Sequence, residues 1–255
     1  MIVHIHGASY MKFYRTLNEK KKSIVRKSIN KADLIIALSD TWKKLFEDEI
    51  GFKNIFVLKN EIDSDSFASA RIIEDEAYSR ILFLGRLGKR KGAYDLVHSI
   101  RKLKNKGINL KCIMAGDGEI KEIQELSKEL KVDSDIECVG WIDINKKKKL
   151  LKESSVLVLP SYNEGLPMAI LEAMSAGKVI ISTTVGAIPE VIDNMENGIL
   201  IEAGDIESLA IAIEKIISNR KLAQQISTNN IRKIKEQYER KSMHSKLKVY
   251  FEAII

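Results

Sequence analysis

The sequence predicts an α/β protein built on a doubly wound, Rossmann-like parallel sheet. Short β-branched runs alternate with longer helical patterns, as in parallel βα units. The strand candidates are apolar almost throughout, which suits a sheet buried on both faces. In such sheets ligands bind outside the carboxyl ends of the strands, so the strand-to-helix loops are the place to look for chemistry.

Three strands are read in the first 60 residues: Ile2–His6, Leu34–Leu38 and Ile55–Leu58. Helical patterns cover Lys12–Asn30 and Asp40–Glu49. Residues Glu61–Ser79 are polar and acidic, with Ser64, Asp65, Ser66 and Ser69, and read as a linker. Six strands follow: Ile81–Gly85, Leu110–Ala115, Ile136–Val139, Val156–Pro160, Lys178–Ser182 and Gly198–Ile201. Between them lie helical patterns at Tyr94–Asn105, Ile120–Leu130, Pro167–Ala176 and Ile206–Ser218. The tail from Arg220 is helical and ends in an amphipathic run, Lys241–Ile255. The expected layout is a partial domain over 1–62, a linker over 63–79, a complete domain over 80–219 and tail helices over 220–255.

With 255 residues, 45% of them hydrophobic, the chain can bury a large core in one or two domains. No apolar run approaches the ~18 residues that span a bilayer. The N-terminus lacks a basic stretch followed by an apolar one, so no secretory signal is expected there. Cys112 and Cys138 have no metal spacing and make no disulfide framework. They read as reduced core residues of a cytosolic protein.

The net charge of +7 is uneven. Residues 1–110 carry 22 basic and 13 acidic side chains, and residues 111–255 carry 20 and 22. The basic half suits nucleic acid, an anionic membrane, a phosphorylated small molecule, or simply a solvated surface. Nucleic acid is disfavoured, because no zinc-finger spacing or RNP-like aromatic motif accompanies the basic clusters.

The strongest signal is Val156–Gly177, VLVLPSYNEGLPMAILEAMSAG. A buried strand ends at Pro160, a polar loop follows, and Pro167 opens a helix where its missing N–H costs nothing. Gly177 suits the helix C-terminus. The free amides of Gly165, Leu166 and Met168 form an anion-attracting end. Glu164 and Glu172 flank it. Ionised carboxylates only accept hydrogen bonds, so they suit sugar hydroxyls rather than phosphate. One would hold a hexose and the other a ribose. Blander readings stand beside this: Glu164 favouring the helix N-terminus, Glu172 a solvated helix residue, or a glycosidase pair about 5–9.5 Å apart.

Phe83–Gly92, FLGRLGKRKG, follows the first strand of the larger domain. Gly85 and its neighbours let the backbone approach a ligand, and Arg86 and Lys91 suit a diphosphate without a metal. The loop is no Walker A motif, since no Ser or Thr follows to hold magnesium. A solvated basic turn is the alternative. Ala115–Glu119, AGDGE, is a weak dinucleotide fingerprint and reads better as a tight turn. In Val139-Gly140-Trp141, Gly140 permits close backbone approach, and Trp141 either packs beside a base or fills a domain edge. Gly186–Glu190 follows the next strand and starts a helix. His4 and His6 share one strand face, and His6 at the strand end is the better site candidate.

Together these loops resemble the retaining glycosyltransferases of family four, which have the two-domain GT-B fold. The likeness rests on Phe83–Gly92, Ala115–Glu119, Val139–Trp141, Leu159–Gly177 and Ser182–Ile192, with Glu164 and Glu172 as the family's E-x7-E pair. It continues more weakly in Val3–Ser9, Ala32–Ser39 and Val57–Phe67, where Lys59 and Glu61 replace the usual proline and glycine. By this resemblance, Arg86 and Lys91 would bind the donor diphosphate, Glu164 the transferred sugar and Glu172 the ribose. Gly165, Leu166, Pro167 and Met168 would assist at the sugar and phosphate, and His6 would reach the sugar from the other domain. No metal or other cofactor is implied. The donor would be a nucleoside-diphosphate sugar, and the acceptor a glycan or lipid-linked molecule at the cytosolic membrane face.

Family members have a full Rossmann-like N-terminal domain, of which only the last part is recognisable here. An inactive nucleotide-sugar-binding module is therefore the alternative function, and an exposed sheet edge with apolar surface is expected near residues 1–60. An NAD-dependent oxidoreductase is disfavoured by the missing glycine fingerprint.

Overall fold

The computed structural model describes residues 1–5, 9–71 and 79–240. Two parallel sheets organise them. The smaller contains β1 (Ile2–Ile5), β2 (Leu34–Ala37) and β3 (Ile55–Val57) in that order. The larger contains β4 (Arg80–Leu84), β5 (Lys111–Ala115), β6 (Ile136–Gly140), β7 (Val156–Leu159), β8 (Val179–Thr183) and β9 (Ile199–Ile201). Its order is β6-β5-β4-β7-β8-β9, and every ladder is parallel. The chain builds outward from β4 in one direction and from β7 in the other. The winding therefore reverses between these two adjacent strands, where an open α/β sheet leaves a crevice.

The larger sheet is buried as its composition requires: β7 and β8 are buried at every residue. Around it pack α4 (Ala93–Asn105), α5 (Ile120–Glu129), α6 (Ile144–Lys152), α7 (Met168–Ser175), α8 (Ile206–Ile217) and α9 (Arg220–Gln237). A second core lies under the smaller sheet, where Met11, Tyr14, Trp42 and Phe46 pack on Ile35 and Ile55. Tyr10 stacks on Phe46 with centroids 5.5 Å apart.

Three sequence expectations change. The single helix expected over Lys12–Asn30 is two, α1 (Ser9–Thr16) and α2 (Glu19–Ile29). Asn18 breaks it, because its side chain accepts from Lys21 N at 3.0 Å and starts a new helix. The helix expected over Asp40–Glu49 is α3 (Asp40–Leu45), which widens into a π-type turn over Phe46–Ile50 and stops at left-handed Gly51. The expected linker contains regular structure. Residues Ser64–Ala70 form a 3₁₀ helix, begun where the Asp63 side chain accepts from Ser66 N. Its Phe67 and Ala70 join Ile62 in the larger core. The polar composition concealed this short apolar stripe. The run Lys241–Ile255 lies outside the described residues.

The expected exposed edge is present. β1 pairs only with β2 among the described strands. Nearby, Ile2, Phe13 and Ile24 are 50%, 57% and 64% exposed, and α2 buries no residue. The end of α9 ties back to the crossover between the sheets: Ile62 N donates to Tyr238 O at 2.9 Å, and Arg240 N to Ile62 O at 3.1 Å.

Candidate functional site

The loops leaving β4 and β7 meet at the reversal point. Gly92 makes their contact possible. It has φ +71°, and a Cβ there would lie 2.1 Å from Pro160 O. Backbone from the two loops also bonds directly, Tyr162 N to Arg90 O at 2.9 Å. Hydroxyls brace the β7 loop from beneath: Ser182 Oγ donates to Leu159 O at 2.7 Å and Thr183 Oγ1 to Ser161 O at 2.6 Å.

This packing brings two predicted site residues into contact. Lys91 Nζ lies 2.5 Å from Glu164 Oε1. The side chains are only 14% and 7% exposed, so each charge depends on the other for compensation. The Glu164 backbone is backed by Gly186, whose φ is +62° and whose Cβ, if present, would lie 2.0 Å from Glu164 O. Ala187 N bonds Gly165 O at 3.0 Å, and Asn60 Nδ2 reaches Leu166 O at 3.0 Å from the crossover.

Glu172, on α7, has a partner of its own. Lys147 Nζ of α6 lies 2.9 Å from both of its carboxylate oxygens. The helix begins at Met168, with Pro167 just before it at φ −70°. Leu166 is buried and Met168 is 41% exposed. Glu172 is therefore an inward-facing member of an ion pair, not the solvated helix residue of the bland reading.

Arg86 stands apart from that pair. It is exposed and lies 3.5 Å from Asp117. With Gly88, Lys91 and Glu119 it lines a small hollow of 110 Å³. Glu119 accepts from Tyr94 Oη at 2.6 Å, and that bond, with burial, pushes the Tyr94 phenol up to about 12. The turn around Ala115–Glu119 is thus a wall of the hollow. Gly85 ends β4 beside the Lys91 side-chain carbons, 3.7 Å from a Cβ placed there. Gly140 ends β6 in open space at φ +70°. Trp141 is 78% exposed, so it does not fill a domain edge. Cys112 is buried and Cys138 half-buried, both free. His4 is exposed. His6 lies outside the described residues.

Between the two sheets runs a cleft of 760 Å³. Met11, Trp42 and Leu45 line one side, and Tyr162, Glu164 and Thr184 the other. Glu190 bridges the sheets beside it. Its carboxylate accepts from Thr41 N at 2.8 Å and Asp40 N at 3.2 Å, at the start of α3. Burial pushes this carboxyl upward, but the bonds from Thr41, Asp40 and Ser39 outweigh it, and the group sits below its usual range. Among the described residues, no three His, Cys, Asp or Glu side chains are placed to hold a metal ion.

Sequence reasoning missed Lys147, Glu190 and Asn60. Lys147 sits in a run of four lysines, Lys146–Lys149, and only helix phase decides which one faces Glu172. Glu190 reads in the sequence only as part of a helix start, because its partners lie about 150 positions away.

The model of the family described as glycosyl transferases group 1 matches residues 65–233. An uncharacterized glycosyltransferase of Methanocaldococcus jannaschii is 28% identical over 221 residues, covering 86% of this chain and 51% of the relative. The capsular polysaccharide biosynthesis glycosyltransferase CapM of Staphylococcus aureus is 26% identical over 217 residues, covering 80% of this chain and 57% of the relative. The chain thus spans little more than half the length of these relatives. Among solved structures, Anabaena HepE in complex with UDP superposes with a TM-score of 0.85 at 17% identity, covering 99% of this chain and 72% of that one.

Proposed function

The chain belongs to the glycosyl transferases group 1 family, and on that premise we propose that it transfers a sugar from a nucleoside-diphosphate sugar to a glycan or lipid-linked acceptor. The fold is the α/β, GT-B type of its structural neighbours. The observation that carries the reading is the Lys91–Glu164 pair at the reversal point, at 2.5 Å. It places an ammonium and a hydroxyl acceptor side by side, as the two ends of a sugar–phosphate bond require.

In this reading residues 80–219 hold the donor and the smaller unit, 1–62, faces the acceptor. Arg86 and Lys91 take the diphosphate. Lys91 leaves Glu164 for the phosphate, and Glu164 is then freed to accept from hydroxyls of the transferred sugar. Glu172 receives the ribose hydroxyls, and Trp141 lies open beside the base. The Gly165, Leu166 and Met168 amides complete the sugar and phosphate contacts, with Pro167 between them opening the helix. As the bond from sugar C1 to the diphosphate oxygen breaks, its electron pair stays on the diphosphate, where the two cations stabilise it. The acceptor oxygen bonds C1 and loses its proton to the departing phosphate oxygen. Delivery from the same face would retain the anomeric configuration. The cations supply charge that a metal would otherwise bring.

HepE was solved with UDP, and CapM is named for capsular polysaccharide biosynthesis. These support a nucleotide-sugar donor and a glycan acceptor in kind. Peripheral attachment to an anionic, cytosolic membrane face fits residues 9–31, which hold eight Lys or Arg against one Glu, beside the exposed Phe13 and Ile24.

The test is thermal stability with UDP-, GDP- and ADP-sugars and with NADH, for wild type, Glu172→Ala and Lys91→Ala. A ligand that binds only the folded state raises the midpoint. A shift with one sugar nucleotide, lost in both variants, supports the donor site. A shift with NADH alone sinks it. Donor binding without transfer to any glycan or lipid acceptor would instead identify a binding module.

A further inference from the structure

A second hollow, of 610 Å³, shares Arg90 as a wall with the small hollow beside Arg86 and Lys91. Lys89, Tyr94, His98, Tyr162 and Ile206 form its walls. Nothing in the transfer reaction described above uses it.

Its chemistry is specific. The two tyrosines have their hydroxyls tied to carboxylates: Tyr94 to Glu119 at 2.6 Å and Tyr162 to Asp95 at 2.8 Å. The rings are thereby fixed. Tyr162 is 47% exposed and lies over Gly204, where a Cβ would come within 3.0 Å of its hydroxyl. His98 follows Tyr94 by one turn of α4, so the two share a helix face. Ile206 adds an apolar patch. Fixed aromatic and aliphatic faces suit the C–H faces of a sugar ring, and neighbouring polar atoms suit its hydroxyls. The charge balance is cationic. Lys89 and Arg90 are both exposed and neither ion-pairs with a carboxylate among the described residues; together they outnumber the one carboxylate of the lining, Asp95, which keeps its charge while accepting from Tyr162.

We propose that this hollow is a second binding site, for an anionic hexose, a sugar carrying a phosphate or carboxylate group. Its position gives it leverage on the donor loops. Arg90 Nη1 donates to Asn163 O at 3.2 Å, and Tyr162 N to Arg90 O at 2.9 Å. An occupant gripping Arg90 and Tyr162 touches the residues next to Lys91 and two before Glu164. Donor and anionic sugar then influence one another's affinity by the same factor. Binding itself stands whether or not the chain transfers sugar.

The test is calorimetric titration of the full chain with glucose 6-phosphate, with a glucuronate-containing hyaluronan tetrasaccharide, and with glucose as the neutral control. Each is repeated with Lys89→Ala/His98→Ala, two accessible side chains outside the donor machinery. The expected result is binding of at least one anionic sugar and none of glucose, weakened at least about tenfold in the double variant. The double variant keeps its sugar-nucleotide thermal shift, which shows that it is folded. The tighter arm tells a free phosphorylated sugar from a uronate-bearing chain. Equal binding by the double variant, complete displacement by UDP with binding lost in Lys91→Ala, or no binding of either anion at millimolar concentration would overturn the proposal.

Discussion

Lys147 Nζ sits 2.9 Å from both carboxylate oxygens of Glu172, so the residue proposed to hold ribose is the ion-pair partner of a lysine. Ribose hydroxyls compete with an ammonium for the same oxygens, and Lys147 becomes part of the cost and the selectivity of donor binding.

Removing that lysine leaves a mostly buried carboxylate without its partner. Lys147→Ala should destabilise the free protein by about 1–3 kcal/mol, measured by urea unfolding, yet keep a thermal shift with the cognate sugar nucleotide. Glu172→Ala should lose that shift. If the shift is lost in Lys147→Ala and retained in Glu172→Ala, the roles are wrongly assigned.

Lys91 carries both a structural and a chemical load. Lys91→Ala should cost about 3 kcal/mol of stability, because Glu164 is left buried and uncompensated. It should also slow transfer roughly 10²–10³-fold, the scale for losing one preorganised charge contact. Lys91→Ala/Glu164→Gln should recover stability without recovering turnover. A double variant as unstable as the single one would count against the pairing.

A side chain at 186 would strike the backbone of Glu164, and one at 107 would stand in open space. Both have positive φ, +62° and +77°, but a Cβ at 186 meets Glu164 O at 2.0 Å and a Cβ at 107 meets nothing within 4 Å. Gly107→Ala should cost about 1 kcal/mol through backbone strain alone, with the donor-induced shift intact. Gly186→Ala should cost more and abolish the shift. Equal effects in the two variants would refute a specific role for the 186 contact.

Lys178 is fully buried, and its Nζ has no hydrogen-bond partner among the described residues. Burial lowers its pKa from 10.5 to about 7. Between about pH 7 and 10.5 the unfolded chain binds the extra proton, so this group makes stability rise with pH across that window. Lys178→Met should remove the rise and stabilise the protein at neutral pH by a few kcal/mol. Denaturant midpoints at several pH values read it directly, and an unchanged pH slope would exclude Lys178 as its source.

Glu190 caps α3 from the other sheet. Glu190→Ala should cost about 1 kcal/mol, the usual worth of a cap, and alter the emission of Trp42, whose amide belongs to the same turn. Trp42 emission identical to wild type would show that the cap does not hold α3.

Much of this was legible in the sequence. Every strand of the larger sheet was found, because Ile81–Leu84 or Val156–Leu159 can only be buried on both faces. The loops holding Lys91 and Glu164, and the helix that carries Glu172, followed from the strand-end rule. What was hidden was pairing at a distance. Nothing local says that Glu164 takes Lys91 rather than Lys89, since the choice is made by Gly92 letting Pro160 approach. Residues 64–70 read as linker because their serines outweigh one phenylalanine in composition. In three dimensions Phe67 settles their place.

Pinning Ile62 to the end of α9 also sets a length scale. From Ile62 onward the crossover is tied to the larger unit, and Leu58 N bonds Ala37 O of the smaller sheet at 2.9 Å, so the connector between the two is Lys59–Glu61, four Cα steps from Leu58 to Ile62. At about 3.3–3.6 Å per residue, such a strap caps the stroke of the smaller sheet at roughly 14 Å. Asn60, already bonded to Leu166 O, shortens it further. The two walls of the cleft are therefore tethered by a strap shorter than one of the longer helices, and no arrangement of the two sheets can outreach it.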